Sequence, residues 1–256
     1  SFDDASPDVC QVLLDMTNLV TQDAGELEGV LQMSEYSSSA MLVSIAPLLI
    51  HYQDTHLVAV EKPTGLLSVP GRRYRSYDSV ISRLRHQLSP CPFLQPVHRL
   101  DQGTSGLLVV ARSPQAHAAL QQQFAQGRVN KIYEALLERP IAQASGTLDL
   151  PLWGDPNDRP RQTVNYQRGK PSRTSFQIIT PGPTPRVRFI PHTGRTHQIR
   201  VHAAQGLNAP LVGDRLYDPS ATTAKQPERL HLHATALQFI HPVTQTPLHF
   251  TSPVPF

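Results

Sequence analysis

The stretch Val97-His98-Arg99-Leu100-Asp101-Gln102-Gly103-Thr104-Ser105-Gly106 runs directly into the apolar sequence Leu107-Leu108-Val109-Val110-Ala111. An uninterrupted apolar run of this length is typical of a strand that is buried on both faces of a sheet. The polar residues before it therefore form a loop at the end of a core strand, where the scaffold can hold side chains rigidly. Asp101 is the carboxylate of this loop. Its residue type alone leaves two interpretations open, an Asp that stabilises the turn by local hydrogen bonds or a functional carboxylate.

Strands with a few interspersed helices are predicted around this core strand. Apolar patterning and turn residues predict strands at residues 57–60, 106–111, 131–138, 147–153, 161–167, 174–180, 186–190, 230–240 and 248–251. Helices are predicted after a cap at Asp78, over residues 114–124 and over residues 196–205. This order indicates an α+β fold with a mixed, largely antiparallel β-sheet core and flanking helices and loops.

The first 45 residues differ in composition from residues 46–256. Residues 1–40 contain eight acidic residues, and residues 1–61 contain no Lys or Arg. A helix is predicted after Ser6-Pro7, because apolar residues recur there at helical spacing. We interpret residues 1–45 as an acidic N-terminal extension with a helix. Two roles fit this pattern. The segment could be an addition to the fold without a function of its own, or it could inhibit the rest of the chain through its negative charge.

Basic residues are concentrated in one part of the chain. The formal net charge is only +3, but residues 159–200 hold nine Arg or Lys and no acidic residue. Such a segment fits a surface for a polyanion, since each cation placed on a phosphate releases condensed counterions. A solvated basic face without a partner fits the charge density equally well.

Several classes of protein are disfavoured by the composition. The two cysteines, Cys10 and Cys91, lack the spacing of a zinc finger or a disulfide framework, so a reducing cytosol and a cytoplasmic location are expected. No apolar run is long enough for a membrane span, and no signal peptide is expected at the N-terminus. His231 and His233 have His-x-His spacing, but no third metal ligand is obvious, so no metal is expected.

Two further segments combine groups that could act on a ligand. Thr193 to His202 reads Thr-Gly-Arg-Thr-His-Gln-Ile-Arg-Val-His, and a helix there puts Thr196 and Arg200 on one face. Arg200 could keep a nearby carboxylate ionised and aimed, or it could line a phosphate-binding helix start with Arg195. Tyr133 in Lys131-Ile132-Tyr133 could be core packing or a ring that stacks on a nucleobase.

Taken in order, these segments resemble the RluA family of pseudouridine synthases, from about Leu48 to residue 256. The motifs that carry the resemblance are Lys62-Pro63 with Pro70-Gly71, His98-Arg99-Leu100-Asp101 with Thr104-Ser105-Gly106, Lys131-Ile132-Tyr133, Thr193 to His202, Gly213-Asp214-Arg215-Leu216-Tyr217 and Leu232-His233-Ala234. The stretch from Gly65 to Gly71 is most similar to the subgroup typified by RluA itself. The resemblance implies the pseudouridine synthase catalytic fold for residues 46–256.

The resemblance also implies an activity and roles for named residues. The family isomerises uridine to pseudouridine within RNA, without a cofactor or a metal. It implies that Asp101 is the nucleophile, that Tyr133 packs on the uracil and acts as a late base, and that Arg200 pairs with Asp101. It further implies that Arg99 fills the space of the flipped base or holds the backbone. The RNA-binding residues expected are His98, Arg99, Lys62, Arg72, Arg73, Arg161, Lys170, Arg195 and His197.

The expected partner is a stem-loop of RNA, bound by a monomer. Similarity to the RluA subgroup implies the anticodon stem-loop of tRNA, large-subunit rRNA, or both. Residues 68–77 and 156–173 are the loops expected to select the substrate, because they are charged and predicted to be exposed. The alternative function is a catalytically inactive RNA-binding protein on the same fold.

Overall fold

The apolar run that follows Asp101 is the central strand of the sheet. In a computed structural model of the chain, which describes residues 46–71, 78–218 and 229–256, this run is strand β4, Ser105–Ala111, and all seven of its residues are buried. Its side chains alternate between two apolar clusters. Leu108 and Val110 belong to one cluster and Leu107 and Val109 to the other, so both faces of the strand are covered.

Short strands dominate the described residues. The strands are β1 (Leu49–Gln53), β2 (Leu57–Lys62), β3 (Gln95–Pro96), β4 (Ser105–Ala111), β5 (Asn130–Leu136), β6 (Ser145–Asp149), β7 (Leu152–Trp153), β8 (Thr163–Val164), β9 (Arg173–Thr180), β10 (Arg186–Pro191), β11 (Leu232–Ile240) and β12 (Pro247–Thr251). The helices are α1 (Val80–Gln87), α2 (Pro114–Ala125) and α3 (Gln198–Val201), and α3 continues into a π-helical turn at His202–Gly206.

One large sheet organises these elements. Its strand order is β1-β2-β4-β11-β5-β10-β9-β6, with β12 paired to β11 and β3 paired to β4. Only β4 and β11 pair in parallel among the described strands, and the other pairs are antiparallel. The predicted α+β fold with a mixed, largely antiparallel sheet is therefore confirmed.

Two helices cover the two faces of the β2–β4 region. Helix α1 buries Val80, Ile81 and Leu84 in the first cluster, and α2 buries Ala116 and Leu120 in the second. The same physical rule explains both contacts, since an amphipathic helix must bury its apolar stripe against another element.

Several predicted boundaries are wrong for local reasons. The cap of α1 is Ser79 rather than Asp78, because Ser79 and Ser82 form a reciprocal capping box. The region predicted as one helix over residues 196–205 begins only at Gln198, because His197 has a positive φ of 55°. Thr196 therefore lies outside the helix and does not share a helical face with Arg200. The strand predicted over 161–167 is limited to Thr163–Val164.

Residues Pro47–Phe256 form one compact unit. The helix and the roles predicted for residues 1–45 lie outside the described residues and stay predictions, as do the RNA contacts predicted for Arg72 and Arg73. Within the described ranges, no helix is long and apolar enough to cross a membrane.

Candidate active site

The loop that carries Asp101 is fastened to the segment that follows β2. The Ser68 hydroxyl donates to the Leu100 carbonyl (2.8 Å) and accepts from the Leu100 N–H (3.1 Å). The Thr64 hydroxyl donates to the Gly103 carbonyl at 2.7 Å, and the Gly65 N–H donates to the Gln102 carbonyl at 2.8 Å. These bonds hold the backbone on both sides of Asp101, which a rigid functional site requires.

Lys62 was predicted to bind RNA, and the structure corrects this. Its side chain is completely buried, and its Nζ donates to the carbonyls of Pro63, Leu66 and Gln102 at 2.7–3.0 Å. Burial lowers the pKa of Lys62 to about 7, although the charge of Asp101 opposes this shift. Lys62 therefore ties the Asp101 loop to the end of β2 and presents no ammonium group to an external phosphate.

Asp101 lies in an open cleft of about 1250 Å³. The cleft is lined by the predicted residues His98, Arg99, Asp101, Tyr133, Arg195, His197 and Arg200. A volume of this size exceeds the range of about 300–1000 Å³ that is usual for small-molecule sites. It has room for a nucleotide together with neighbouring parts of a chain.

Three adjacent strands bring Asp101 and Tyr133 to the same place. Ala234 of β11 pairs with Gly106 of β4 on one side and with Tyr133 of β5 on the other. The Asp101 loop leads into β4, so the loop and the tyrosine belong to one row across the sheet. Gly106 has a φ of +111°, and a Cβ on it would lie 2.4 Å from the Ala234 carbonyl oxygen. The close approach of β4 to β11 therefore requires glycine at this position.

Arg200 connects Asp101 to a second carboxylate. The Arg200 Nη1 lies 3.5 Å from the Asp101 Oδ2, while Nε and Nη2 donate to Asp214 at 2.8 and 2.7 Å. Burial alone would lower the pKa of Arg200, but Asp214 and then Asp101 raise it above its usual value. The predicted pairing of Arg200 with Asp101 has the required geometry, and the fork of the guanidinium is fixed by Asp214.

Asp214 and Tyr217 are site residues that sequence reasoning missed. The Asp214 side chain is fully buried, and its Oδ1 also accepts from the N–H groups of Leu216 and Tyr217. The Tyr217 ring lies under the Arg200 guanidinium, 5.0 Å from centroid to Cζ. The segment from Gly213 to Tyr217 was quoted as a family landmark, but no local pattern links it to Asp101.

His197 lies between Tyr217 and the nucleophile candidate. Its Nδ1 is 2.7 Å from the Tyr217 hydroxyl, and its Nε2 is 3.9 Å from the Asp101 Oδ2. Its side chain is only 10% exposed. An RNA contact was predicted for His197, but its ring nitrogens are directed at protein groups.

Tyr133 is partly buried and lines the cleft together with Asp101. Burial, and then the negative charge of Asp101, raise the pKa of the Tyr133 phenol well above its usual value. The phenol is therefore neutral at physiological pH and offers an apolar ring to the cleft.

His98 lines the cleft but has a packing role. Its ring stacks on Phe124 with centroids 4.7 Å apart, and its Nε2 accepts from the Val109 N–H at 3.1 Å. Burial lowers the pKa of His98 to about 3. The imidazole is therefore uncharged at neutral pH, and its Nε2 is already engaged by the Val109 N–H.

The other predicted RNA-binding residues are dispersed around the cleft. Arg99 and Arg195 are exposed in its lining, whereas Arg161 and Lys170 are exposed outside the lining residues. Sequence reasoning did not single out Arg215 and Arg229, which also line the cleft.

No group of three or more His, Cys, Asp or Glu side chains within the described ranges could hold a metal ion. His233, one half of the His-x-His pair, is instead hydrogen-bonded through both ring nitrogens to Ser105 and Ser252.

Similarity to known proteins shows the family of the chain. The sequence pattern of the family described as RNA pseudouridylate synthase matches residues 56–205. The chain belongs to this family. The predicted resemblance to RluA enzymes is confirmed by relatives that are similar over most of their length. A dual-specificity RNA pseudouridine synthase RluA of Pasteurella multocida is 42% identical over 210 residues, which are 81% of this chain and 93% of the relative. The RluA enzyme of Escherichia coli (strain K12) is 41% identical over 82% of this chain and 94% of its own.

A solved structure supports the same assignment. Human RNA Pseudouridylate Synthase Domain Containing 1 is 28% identical to this chain, and its structure superimposes on it with a TM-score of 0.69. The match covers 83% of this chain and 86% of the human chain. The chain is therefore an RNA pseudouridine synthase, an isomerase that converts uridine to pseudouridine. The alternative of an inactive RNA-binding protein is the weaker interpretation.

Proposed function

We propose that this pseudouridine synthase modifies specific uridines in the anticodon stem-loop of tRNA and in large-subunit rRNA, with Asp101 as its nucleophile. The observation that carries the proposal is the Asp101 carboxylate in the cleft, 3.5 Å from Arg200 in an arrangement that Asp214 fixes. The relatives are named dual-specificity enzymes, which supports the proposal that this chain acts on more than one RNA.

The isomerisation needs a nucleophile and proton transfers but no oxidant. The bond between N1 of uracil and C1′ of ribose breaks, a bond between C5 and C1′ forms, C5 loses a proton and N1 gains one. A carboxylate that forms a covalent intermediate splits such a difficult exchange into easier steps. Asp101 has this role in the proposal, and Arg200 stabilises its charged form. We infer that the reaction uses neither a metal nor a cofactor.

Tyr133 and Arg99 act on the target nucleotide in this proposal. The reacting atoms of a stacked uridine are inaccessible, so the nucleotide flips out of its stack at a cost of a few kcal/mol. The neutral ring of Tyr133 packs against the flipped uracil. Its hydroxyl takes the proton from C5 while passing its own proton to the Asp101 carboxylate. Arg99, two residues before Asp101 and exposed in the cleft, occupies the space that the base leaves.

Contacts with RNA phosphates offset the free energy that flipping the nucleotide costs. Arg195, Arg215 and Arg229 line the cleft, and Arg161 and Lys170 extend the basic surface beyond it. Residues 68–77 and 156–173 select the RNA in this proposal, since loop shape and flipped bases dominate RNA recognition. We infer that the enzyme acts in the cytoplasm as a monomer.

Tritium release from carbon-5-labelled uridine tests the proposal. Bulk tRNA and rRNA transcripts are each incubated with wild type, Asp101→Asn and Asp149→Asn. Wild type is expected to release tritium from both RNAs, and Asp101→Asn should be slower by at least about 10³-fold, the scale for loss of a nucleophile. Asp149 is exposed on β6 outside the cleft, so Asp149→Asn should match wild type. Equal release by Asp101→Asn would refute the nucleophile, and release from a single RNA would refute dual specificity.

A further inference from the structure

His197 has a backbone conformation that its position does not favour. It precedes α3 with φ 55° and ψ 20°, in the left-handed region, and its side chain makes no capping hydrogen bond. An N-cap residue is usually extended, and a Ser, Thr, Asp or Asn there caps the helix. A left-handed conformation costs a non-glycine residue about 1–2 kcal/mol. Such strain persists mainly where surrounding contacts and function require it.

The strained conformation places the imidazole between two polar groups of the site. Nδ1 lies 2.7 Å from the Tyr217 hydroxyl and Nε2 lies 3.9 Å from the Asp101 Oδ2. The Tyr217 ring meets the imidazole edge-on, with centroids 5.6 Å apart. The charged and titratable groups that act on His197 are Asp101, Arg200, Asp214 and Tyr217.

The hydrogen bonds of Tyr217 favour one of the two neutral tautomers of His197. The Tyr217 oxygen accepts from the Gln162 N–H at 2.8 Å. Its own proton then points to His197 Nδ1, the one acceptor found for it among the residues that the structure describes. Burial raises the pKa of Tyr217 to about 12, so the hydroxyl keeps this proton. An imidazole that accepts at Nδ1 carries its proton on Nε2.

Both donors near the nucleophile are directed at the same oxygen. Arg200 Nη1 lies 3.5 Å and His197 Nε2 lies 3.9 Å from the Asp101 Oδ2. Two donors near Oδ2 orient the carboxylate, so that Oδ1 is the oxygen offered to the substrate in this inference. Catalytic hydrogen bonds are often long in the free enzyme and tighten when substrate binds.

We propose that His197 is a positioning residue for the nucleophile, which holds Asp101 through its Nε2–H and is itself held in that tautomer by the Tyr217 hydroxyl. This inference rests on Asp101 being the nucleophile of the proposed function. It replaces the RNA contact predicted for His197. Burial is the main cause that lowers the pKa of His197, and a neutral ring is the form that this arrangement needs.

The tautomer is tested without any RNA. The ¹⁵N chemical shifts and two-bond couplings of labelled histidine distinguish Nε2–H from Nδ1–H in wild type and in Tyr217→Phe. Wild type is expected to show His197 as the neutral Nε2–H tautomer, and Tyr217→Phe should shift the population towards Nδ1–H. A wild-type spectrum of the Nδ1–H tautomer would overturn the proposal. The tautomer is measured in the free protein, so the result does not depend on whether tRNA or rRNA is a substrate. A failure of the proposed function and a failure of this inference therefore give different results.

The kinetic test uses His197→Asn, His197→Gly and His197→Gln on an RNA that wild type modifies. Asn and Gly tolerate the left-handed backbone, which offsets part of the stability lost with the imidazole and its hydrogen bond to Tyr217. Neither can reach Asp101 with an N–H, and kcat is expected to fall about 10- to 100-fold, the scale for a misplaced reacting group. RNA affinity should stay unchanged. The longer His197→Gln can supply an N–H near the position of Nε2 and should recover part of the lost kcat.

Two results would contradict the positioning role. One is a wild-type kcat in His197→Asn and His197→Gly together. The other is a loss of RNA affinity at unchanged kcat, which would identify His197 as an RNA contact. His197→Asn could lose kcat only because its backbone is strained. His197→Gly distinguishes this case, since glycine carries no side chain that could strain the backbone.

Discussion

Asp214 is a buried carboxylate whose charge is matched only by Arg200 among the described side chains that contact it. Removing one partner of a buried ion pair leaves the other charge uncompensated, which costs about 3–5 kcal/mol. We therefore expect Asp214→Asn to lower the free energy of unfolding by about this amount, measured by urea denaturation. Because Arg200 loses its fixed orientation, tritium release should also fall by about 10²-fold.

A double variant separates these two effects. Arg200→Met combined with Asp214→Asn removes both charges, so stability should recover relative to Asp214→Asn while activity stays low. As a surface control, Asp78→Asn breaks the exposed pair with Arg83 and should cost no more than about 1 kcal/mol. If Asp214→Asn were as mild as this control, the central role of the buried pair would be wrong.

At the scale of secondary structure, the approach of β4 to β11 positions the Asp101 loop against Tyr133. Gly106→Ala would place a Cβ 2.4 Å from the Ala234 carbonyl oxygen at a φ of +111°. Backbone strain of about 1–3 kcal/mol and overpacking of about 1–3 kcal/mol add up in one position. We expect Gly106→Ala to lower the free energy of unfolding by about 2–6 kcal/mol and to reduce tritium release even where the variant is folded.

Gly194→Ala is the matched control for this substitution. Its Cβ would meet nothing within 4 Å, and Gly194 has no left-handed φ. Its free energy of unfolding should remain within about 0.5 kcal/mol of wild type or rise slightly. An equally small effect in Gly106→Ala would show that the two strands can separate at no cost.

At the scale of the whole molecule, buried neutral histidines make stability depend on pH. His233 is fully buried between Ser105 and Ser252, and burial lowers its pKa from 6.5 to about 4. Between these values the unfolded chain binds the extra proton, so stability is lost as the pH falls from 6.5 towards 4. One proton changes the slope by about 1.4 kcal/mol per pH unit. We expect His233→Gln to show a correspondingly smaller slope than wild type in urea denaturation across this window.

Carboxylates that titrate in the same pH range contribute equally to the slopes of wild type and His233→Gln. The difference between the two slopes therefore reports on His233 alone. His249 is exposed on β12, so solvent reaches its ring in the folded and the unfolded chain alike. His249→Gln should keep the wild-type slope. A slope in His233→Gln identical to that of wild type would mean that His233 accepts its proton without unfolding.

The sequence by itself determined the core strand β4 and the α+β class, and its resemblance to a known family predicted Asp101, Tyr133 and Arg200 as site residues. Apolar runs and turn residues act locally, and the family motifs mark these residues by type and spacing. Only the tertiary structure decided that Lys62 is buried, that Asp214 fixes Arg200 and that the Tyr217 hydroxyl contacts the His197 imidazole. These contacts depend on strand order and on loops that meet across the cleft. A buried polar side chain is defined by the partners that desolvate it, and those partners lie far away along the chain.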